Sequence, residues 1–480
     1  MSFKRVFAGL TAAAALSFVA ALPAQAESAA ERAVEAAKQY AGTEITIVWE
    51  AGLQSLDPLN FSGPKWEKLT GIKVKVIEVP TAEMFTKILQ EHRAGTGAYD
   101  ALNVVPTWMA DLVRAGALED LDPYVDKYGY RDELKNIAPT YRDNQMTVDG
   151  KIYGFPDDGD VFILYYRKDL FQDPANKEAF KAKYGYDLAA PKTWQQYDDI
   201  GNFFTDKMAP KTYGAGQFRQ PAYSQLLFQE RFRVEGGKFF DPETMKATIN
   251  SDVGVKVFDA MREENKFMPP GVESWGFVEA LTAFLNGDIA MTISWPPFGR
   301  WAAGYGVDEE ALSWVPKSKI IDKVGYALPP GGRPQLALGF SLGVSASSKH
   351  KEAAYLFIQW LNSEEISMQR VQLPYALRDP FRESHYTNKE YMSRWKDAPE
   401  YLATLRKGAD TGLLDLSVLQ IDKYEEALRQ AMSRLWAGES SKQILDDTAA
   451  QWDALTEKIG VDKQRAAYKE WASKPNAYPN

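Results

Sequence analysis

The stretch "GFPDDGDVFILYYRKDLF", residues 154–171, decides how this chain is built. Asp157, Asp158 and Asp160 fall directly after Pro156, and a nearly unbroken apolar and aromatic run follows over 161–166. Carboxylates beside a strand of buried character are costly unless they have partners or a use. Four readings compete: a catalytic pair, a metal loop, a ligand clamp, and a hydrated turn ahead of a strand. A calcium loop needs regularly spaced oxygen ligands and a following bidentate Glu, and this stretch has neither. If 161–166 is a strand, Tyr165 and Tyr166 point to opposite faces, so at most one faces a ligand and the other is core.

The bulk of the sequence narrows the choice. Lys4 and Arg5 precede an apolar, alanine-rich stretch over 6–22, which ends in Ala24-Gln25-Ala26. That is the pattern of a cleaved secretory signal over residues 1–26, with Glu27 as the mature start. The remaining chain is too long for one core, which predicts two domains. The net charge of −9 disfavours nucleic acid and anionic lipid. There are no cysteines, which excludes disulfides, thiol nucleophiles, cysteine-bound zinc and a lipid anchor on cysteine. The three histidines, His92, His350 and His385, show no metal-ligand spacing, so a zinc site or a histidine triad has poor support. Export without an anchor fits a Gram-negative periplasm or full secretion, and the periplasm is the expectation.

Along the chain, predicted strands at 45–50, 71–80 and 100–106 alternate with helices at 59–69, 82–95 and 107–118. This order implies an α/β sheet with crossover connections. The second half follows the same alternation. It has a helix from 191 capped by Thr193, a helix–turn–strand over 275–295, a Gly-rich strand over 336–347, and a strong amphipathic helix over 348–365. From 423 onward the pattern is helical, with Trp436 and Trp452 read as core.

Several stretches in this order resemble one family. "WEKLTGIKVKV" (66–76), "YDALNVVPTWMADLVRAGALEDLDPYV" (99–125) and "DGKIYGFPDDGDVFILYYRKDLF" (149–171) carry the likeness. "PKTWQQY" (191–197), "FLNGDIAMTISW" (284–295) and "LGFSLGVSASSKHKEAAYLFIQWL" (338–361) complete it. Together they resemble the family-1 extracellular solute-binding proteins, the carbohydrate-binding subunits of ABC importers to which maltose-binding protein belongs. Arg167 stands where the family usually has asparagine, and the segments 300–335, 378–410 and 460–480 have no clear counterpart.

The resemblance implies a two-lobed periplasmic-binding-protein type II fold, each lobe a mixed sheet flanked by helices, with the ligand cleft between them. The chain would cross between lobes near 157–160, 337–341 and 373–378. The N-terminal lobe would hold 27–157 plus 341–373, and the C-terminal lobe 158–340 plus 374–480. Closure around the ligand would be a hinge motion.

A sugar presents hydroxyls and flat C–H faces, so its site needs aromatic plates, carboxylates, amides and arginine, with no metal and no cofactor. Where the family places contacts, this sequence offers Glu50 and Gln54 after the first strand, and Thr107 and Trp108 after the third. Asp158 and Asp160 lie at the first crossing, and one of them should touch the ligand. Arg219 and Tyr223 sit in a glutamine- and proline-bearing loop, and Trp275 opens a helix. Trp295 ends a strand broken by Pro296-Pro297 and is the leading aromatic candidate. Gly339 and Phe340 stand at the second crossing, and Arg378 follows the third. The bland alternatives are solvated strand ends for Glu50 and the aspartates, a core anchor for Trp108, and an ion pair with Asp379 or Glu383 for Arg378.

The expected function is capture of a carbohydrate or polyol, as a monomer, for delivery to inner-membrane ABC permease subunits. Two rivals stay open. An exported glycoside hydrolase would use a carboxylate pair across the cleft. A binding protein for a polyamine would use the acidic cluster, and one for a sugar acid would use Arg219 and Arg378.

Overall fold

In the computed structural model, residues 27–337 and 339–479 are described; the expected signal segment 1–26 lies outside them. Among the described residues, ten strands form three sheets. β1 (Glu44–Glu50) pairs in parallel with β2 (Lys73–Val79) and with β3 (Ala101–Val104). The helices Gly63–Thr70 and Thr81–Ala94 make the crossovers that parallel pairing requires. A small hairpin, β4 (Thr147–Val148) and β5 (Lys151–Ile152), turns on Asp149-Gly150. Both turn residues have positive φ, 50° and 78°, as a two-residue turn of this hand demands.

The stretch 154–171 resolves into two strands that belong to different sheets. β6 (Phe155–Asp158) is the edge of the first sheet, whose order is β2-β1-β3-β10-β6. Pro156 is tolerated there because an edge strand can spare a backbone donor. β7 (Ile163–Arg167) is the centre of a second, antiparallel sheet. Its flanks are β8 (Met291–Ser294) and β9 (Val324–Ala327), giving the order β8-β7-β9. β10 (Phe340–Val344) then returns to the first sheet, antiparallel to both β3 and β6. The chain therefore leaves one sheet at Asp158 and enters the other at Ile163.

Gly159 sits between them for a steric reason. A Cβ there would fall 2.1 Å from the carbonyl oxygen of Pro380, so the backbones at 159 and 380 run in contact. The Gly159 N–H donates to the Asp379 carbonyl at 3.1 Å.

Each sheet is covered by helices. Lys351–Asn362 lies on the first, with Ala29–Ala37 packed outside it. A cluster of Trp66, Phe357 and Trp360 fills that layer, with ring centroids 5.3 to 6.3 Å apart. Two of the segments without family counterpart build on the second sheet. Residues 300–335 supply β9, and residues 378–410 supply most of the helix Ala398–Thr411, which packs on β7 and β9. Of the C-terminal helices Ile421–Trp436, Ser441–Ile459 and Val461–Ala472, the first packs on the helix Pro221–Val234 and also touches Pro106–Trp108. Trp452 is buried against Phe240 and Tyr424, whereas Trp436 is half-buried and lies over the Arg219 guanidinium.

Candidate ligand-binding cleft

The ends of β1, β6, β8 and β10 converge between the two sheets, the place where open α/β sheets bind ligands. They line a half-open chamber of about 370 Å³, the inner chamber, named for its place at the strand ends. Trp295, Tyr223, Phe277 and Phe340 supply its aromatic surface, and Glu50, Asp160, Asp379 and Gln54 its polar one. Trp295 is fixed from several sides. Its indole N–H donates to the Ala337 carbonyl at 3.0 Å, its own carbonyl accepts from the Tyr165 hydroxyl at 3.0 Å, and Phe162 meets its ring edge-on at 5.0 Å. Such an anchored ring is a plate whose position is set before any ligand arrives.

The three aspartates of the opening stretch have three different fates. Asp157 is buried in an ion network: it pairs with Arg370 at 2.7 Å and Arg378 at 3.1 Å, and both arginines also reach Asp57. Asp158, also buried, accepts from the Gln54 side chain at 2.9 Å and from the Asp379 backbone N–H at 2.8 Å. Asp160 lines the inner chamber and accepts one backbone hydrogen bond, from Gly339 at 3.1 Å. Gly339 is required at that position: its φ is 66°, and a Cβ would meet the Gln145 amide at 2.4 Å.

Oxygens of Asp158, Asp160 and Asp379 all lie within 4.8 Å of one another. Three acidic groups so placed could hold a cation, and they also shift one another's titration. Burial pushes Asp158 up to about 6, opposed by Arg378 and the Gln54 hydrogen bond. Burial pushes Asp379 up to about 8, opposed by Arg300, whose guanidinium is 3.3 Å away. Asp160 has no such cation; burial and the neighbouring Asp158 and Asp379 charges hold it well above the ordinary carboxylate range. Burial also raises Glu50, against a hydrogen bond from Thr81. The chamber floor is therefore rich in carboxyl groups that keep protons at higher pH than usual, so they can donate to a ligand as well as accept from it.

An outer chamber of about 890 Å³ adjoins the inner one, and the two share Glu50 and Tyr223. It is lined by Thr81, Phe85 and Trp108, the two rings 5.7 Å apart. It is also lined by Gln225 and by Glu425, Gln430 and Lys458 of two C-terminal helices.

The candidate residues divide accordingly. Glu50, Gln54, Asp160, Tyr223, Trp295 and Phe340 line the inner chamber, and Trp108 lines the outer one. The others lie off both chambers. Arg378 is fully buried; it donates to the Gln54 side chain and carbonyl and sits over the Trp49 ring, so it holds Gln54 in place. The ion pair with Asp379 or Glu383 offered as its alternative is also replaced, by Asp57 and Asp157. Arg219 is buried within the second lobe on Glu264 at 3.0 Å and Asn265 at 2.9 Å. Trp275 packs across Gly216, and Thr107 is buried, with its carbonyl accepting from Ser417. Tyr165 is core behind Trp295, and Tyr166 packs on Phe171 at 4.8 Å. Asp379, Phe277, Phe85 and Gln225 line the chambers without having stood out in the sequence. Asp379 had one signal, its place directly after Arg378 at the third crossing.

Residues 30–368 match the family model of bacterial extracellular solute-binding proteins, and the chain belongs to that family. Among curated relatives it is similar to a "probable amino-acid ABC transporter periplasmic-binding protein", y4oP, of Sinorhizobium fredii. The two are 26% identical over 79% of this chain and 81% of the relative. It is also similar to the galactooligosaccharide-binding protein of Bacillus subtilis, 26% identical over 76% of this chain and 77% of that one. Among solved structures, an ABC transporter solute-binding protein from Agrobacterium radiobacter K84, in complex with ribitol, shares the fold. Its TM-score is 0.71 at 22% identity, covering 86% of this chain and 99% of that one. The two-lobed periplasmic-binding-protein architecture is thus the fold of this chain.

Proposed function

We propose that this solute-binding protein captures a carbohydrate or polyol in the inner chamber, in the periplasm, and delivers it to an ABC importer without chemistry of its own. One observation carries the reading: anchored aromatic faces and carboxylates line one small chamber between the two lobes. Trp295, Phe340 and Tyr223 would pack on C–H faces, while Glu50, Gln54, Asp160 and Asp379 would accept from and donate to hydroxyls. The relatives add support, since one is named for a galactooligosaccharide and a protein of the same fold holds ribitol.

Lobes divided at 157–158, 340–341 and 373–374 would close on the ligand, because a ligand touching both favours the closed form. The inner-membrane permease subunits would then read the closed surface of a monomer.

A thermal-shift screen tests this. Sugars and polyols should raise Tm; a ligand at 100 times its Kd adds about 2.7 kcal/mol. A shift with polyamines, amino acids or sugar acids alone would contradict the ligand class. Turnover of chromogenic glycosides would contradict the transport role, and Asp160 and Asp379 would then be the carboxyls to mutate.

A further inference from the structure

We infer that Arg300 is the positioning residue of the inner chamber: from behind, its guanidinium joins two of the chamber walls and fixes where Asp379 stands. The inference rests on the carbohydrate reading above. One wall is Trp295 and Pro297, at the end of β8 and the start of the helix Pro297–Ala302; the other is Leu377 and Asp379. Arg300 lies on that helix, three residues beyond Pro297, and is fully buried behind both walls.

The second wall needs such a support. Between the helices Glu364–Val371 and Glu383–Thr387 the chain forms neither helix nor named strand, so no ladder sets its path. Its carbonyls must find donors elsewhere, and side chains at 300, 301 and 305 supply them. Arg300 Nη1 donates to the carbonyls of Val371 at 3.4 Å and Arg378 at 3.5 Å, and Nη2 to that of Ala376 at 3.2 Å. The Trp301 indole donates to the Pro374 carbonyl at 3.1 Å, and the Tyr305 hydroxyl to that of Gln372. All three donors come from the stretch 300–335, for which the family resemblance offers no counterpart.

Arg300 differs from the other two because it also reaches a chamber group. Its Nη2 lies 3.3 Å from the Asp379 carboxylate. A planar fork with several donors can serve three carbonyls and a carboxylate at once, which a lysine ammonium cannot do from one point. The hold extends to a third wall: Arg378, whose carbonyl Arg300 binds, donates to the Gln54 side chain and carbonyl. Gln54 lines the same chamber. A ligand that presses on Trp295 or pulls on Asp379 therefore acts on one shared guanidinium.

Isothermal titration of the purified chain tests the inference. The probe is whichever of ribitol, mannitol, galactose, glucose, maltose and maltotriose raises Tm most, and the variants are Arg300→Lys, Asp379→Asn and the two combined. Arg300→Lys keeps the charge and loses the fork, so binding should weaken about tenfold. With Asp379 already replaced, the same change should cost only about twofold, because the residue it positions is gone. Two outcomes overturn the inference and leave the carbohydrate reading standing: wild-type affinity in Arg300→Lys, or an equal cost in both backgrounds, which would make Arg300 a general support. Should Arg300→Lys fail to fold, hydrogen exchange in the unmutated chain decides. The bound probe should slow the amides of 299–303 and 376–379 together; slowing of 376–379 alone overturns the inference. Binding by no sugar or polyol of the panel overturns both readings together.

Discussion

Asp157 and Asp160 are the same residue type in the same short stretch, yet they sit in opposite physical situations. Asp157 faces two arginines, which are themselves shared with Asp57. Asp160 faces a chamber, two other carboxyls and one backbone N–H. A buried charge with its counter-charges in place is part of the scaffold. A buried carboxyl whose neighbours are also acidic is held out of its preferred state, and groups in that position are candidates for function. The contrast teaches that burial does not separate structural from functional carboxylates in this protein; the identity of the partners does.

The comparison breaks most severely on the paired side. Arg370→Met should leave Asp157 and Asp57 with too little counter-charge and lower stability by about 3–5 kcal/mol, read as a drop in the urea midpoint. An unchanged midpoint would show that the network is not part of the scaffold. Asp158 stands between the two cases, since it holds the Gln54 side chain and the Asp379 backbone. Asp158→Ala should lower stability by about 1–3 kcal/mol and weaken binding by releasing Gln54. Replacing Asp158 and Asp160 together is therefore no clean test of ligand contact.

The unpaired side has a pH signature. Asp160 and Asp379 titrate above the ordinary value of 3.8, with Asp379 up to about 8, so the folded chain holds protons that the unfolded chain has released. Their contribution to stability is fully present below the unfolded pKa and is lost as pH rises through this window. Ligand-free Tm should fall between about pH 5 and about pH 8, and Asp160→Asn should flatten that fall by about 2 °C. An equal slope in wild type and variant would remove Asp160 from the account.

Much of this was legible in the sequence, for identifiable reasons. Alternating elements and the stretch 154–171 announced two sheets with a crossing between them. Trp295, Glu50 and Phe340 stand at strand ends, positions where the resemblance implies cleft contacts, and all three line the chamber. The arginines were opaque. Arg219 and Arg378 looked available because their partners, Glu264 and the Asp57–Asp157 pair, are far away in the chain. The outer chamber was opaque for another reason: part of its wall comes from two C-terminal amphipathic helices, whose polar residues read as ordinary surface.

The most direct test of the central claim is the ligand-induced Tm shift in Asp160→Asn, with the sugar or polyol that shifts wild type most. The account predicts that the ligand-free Tm near neutral pH is preserved or raised while most of the ligand-induced shift is lost. A full shift in the variant would contradict it.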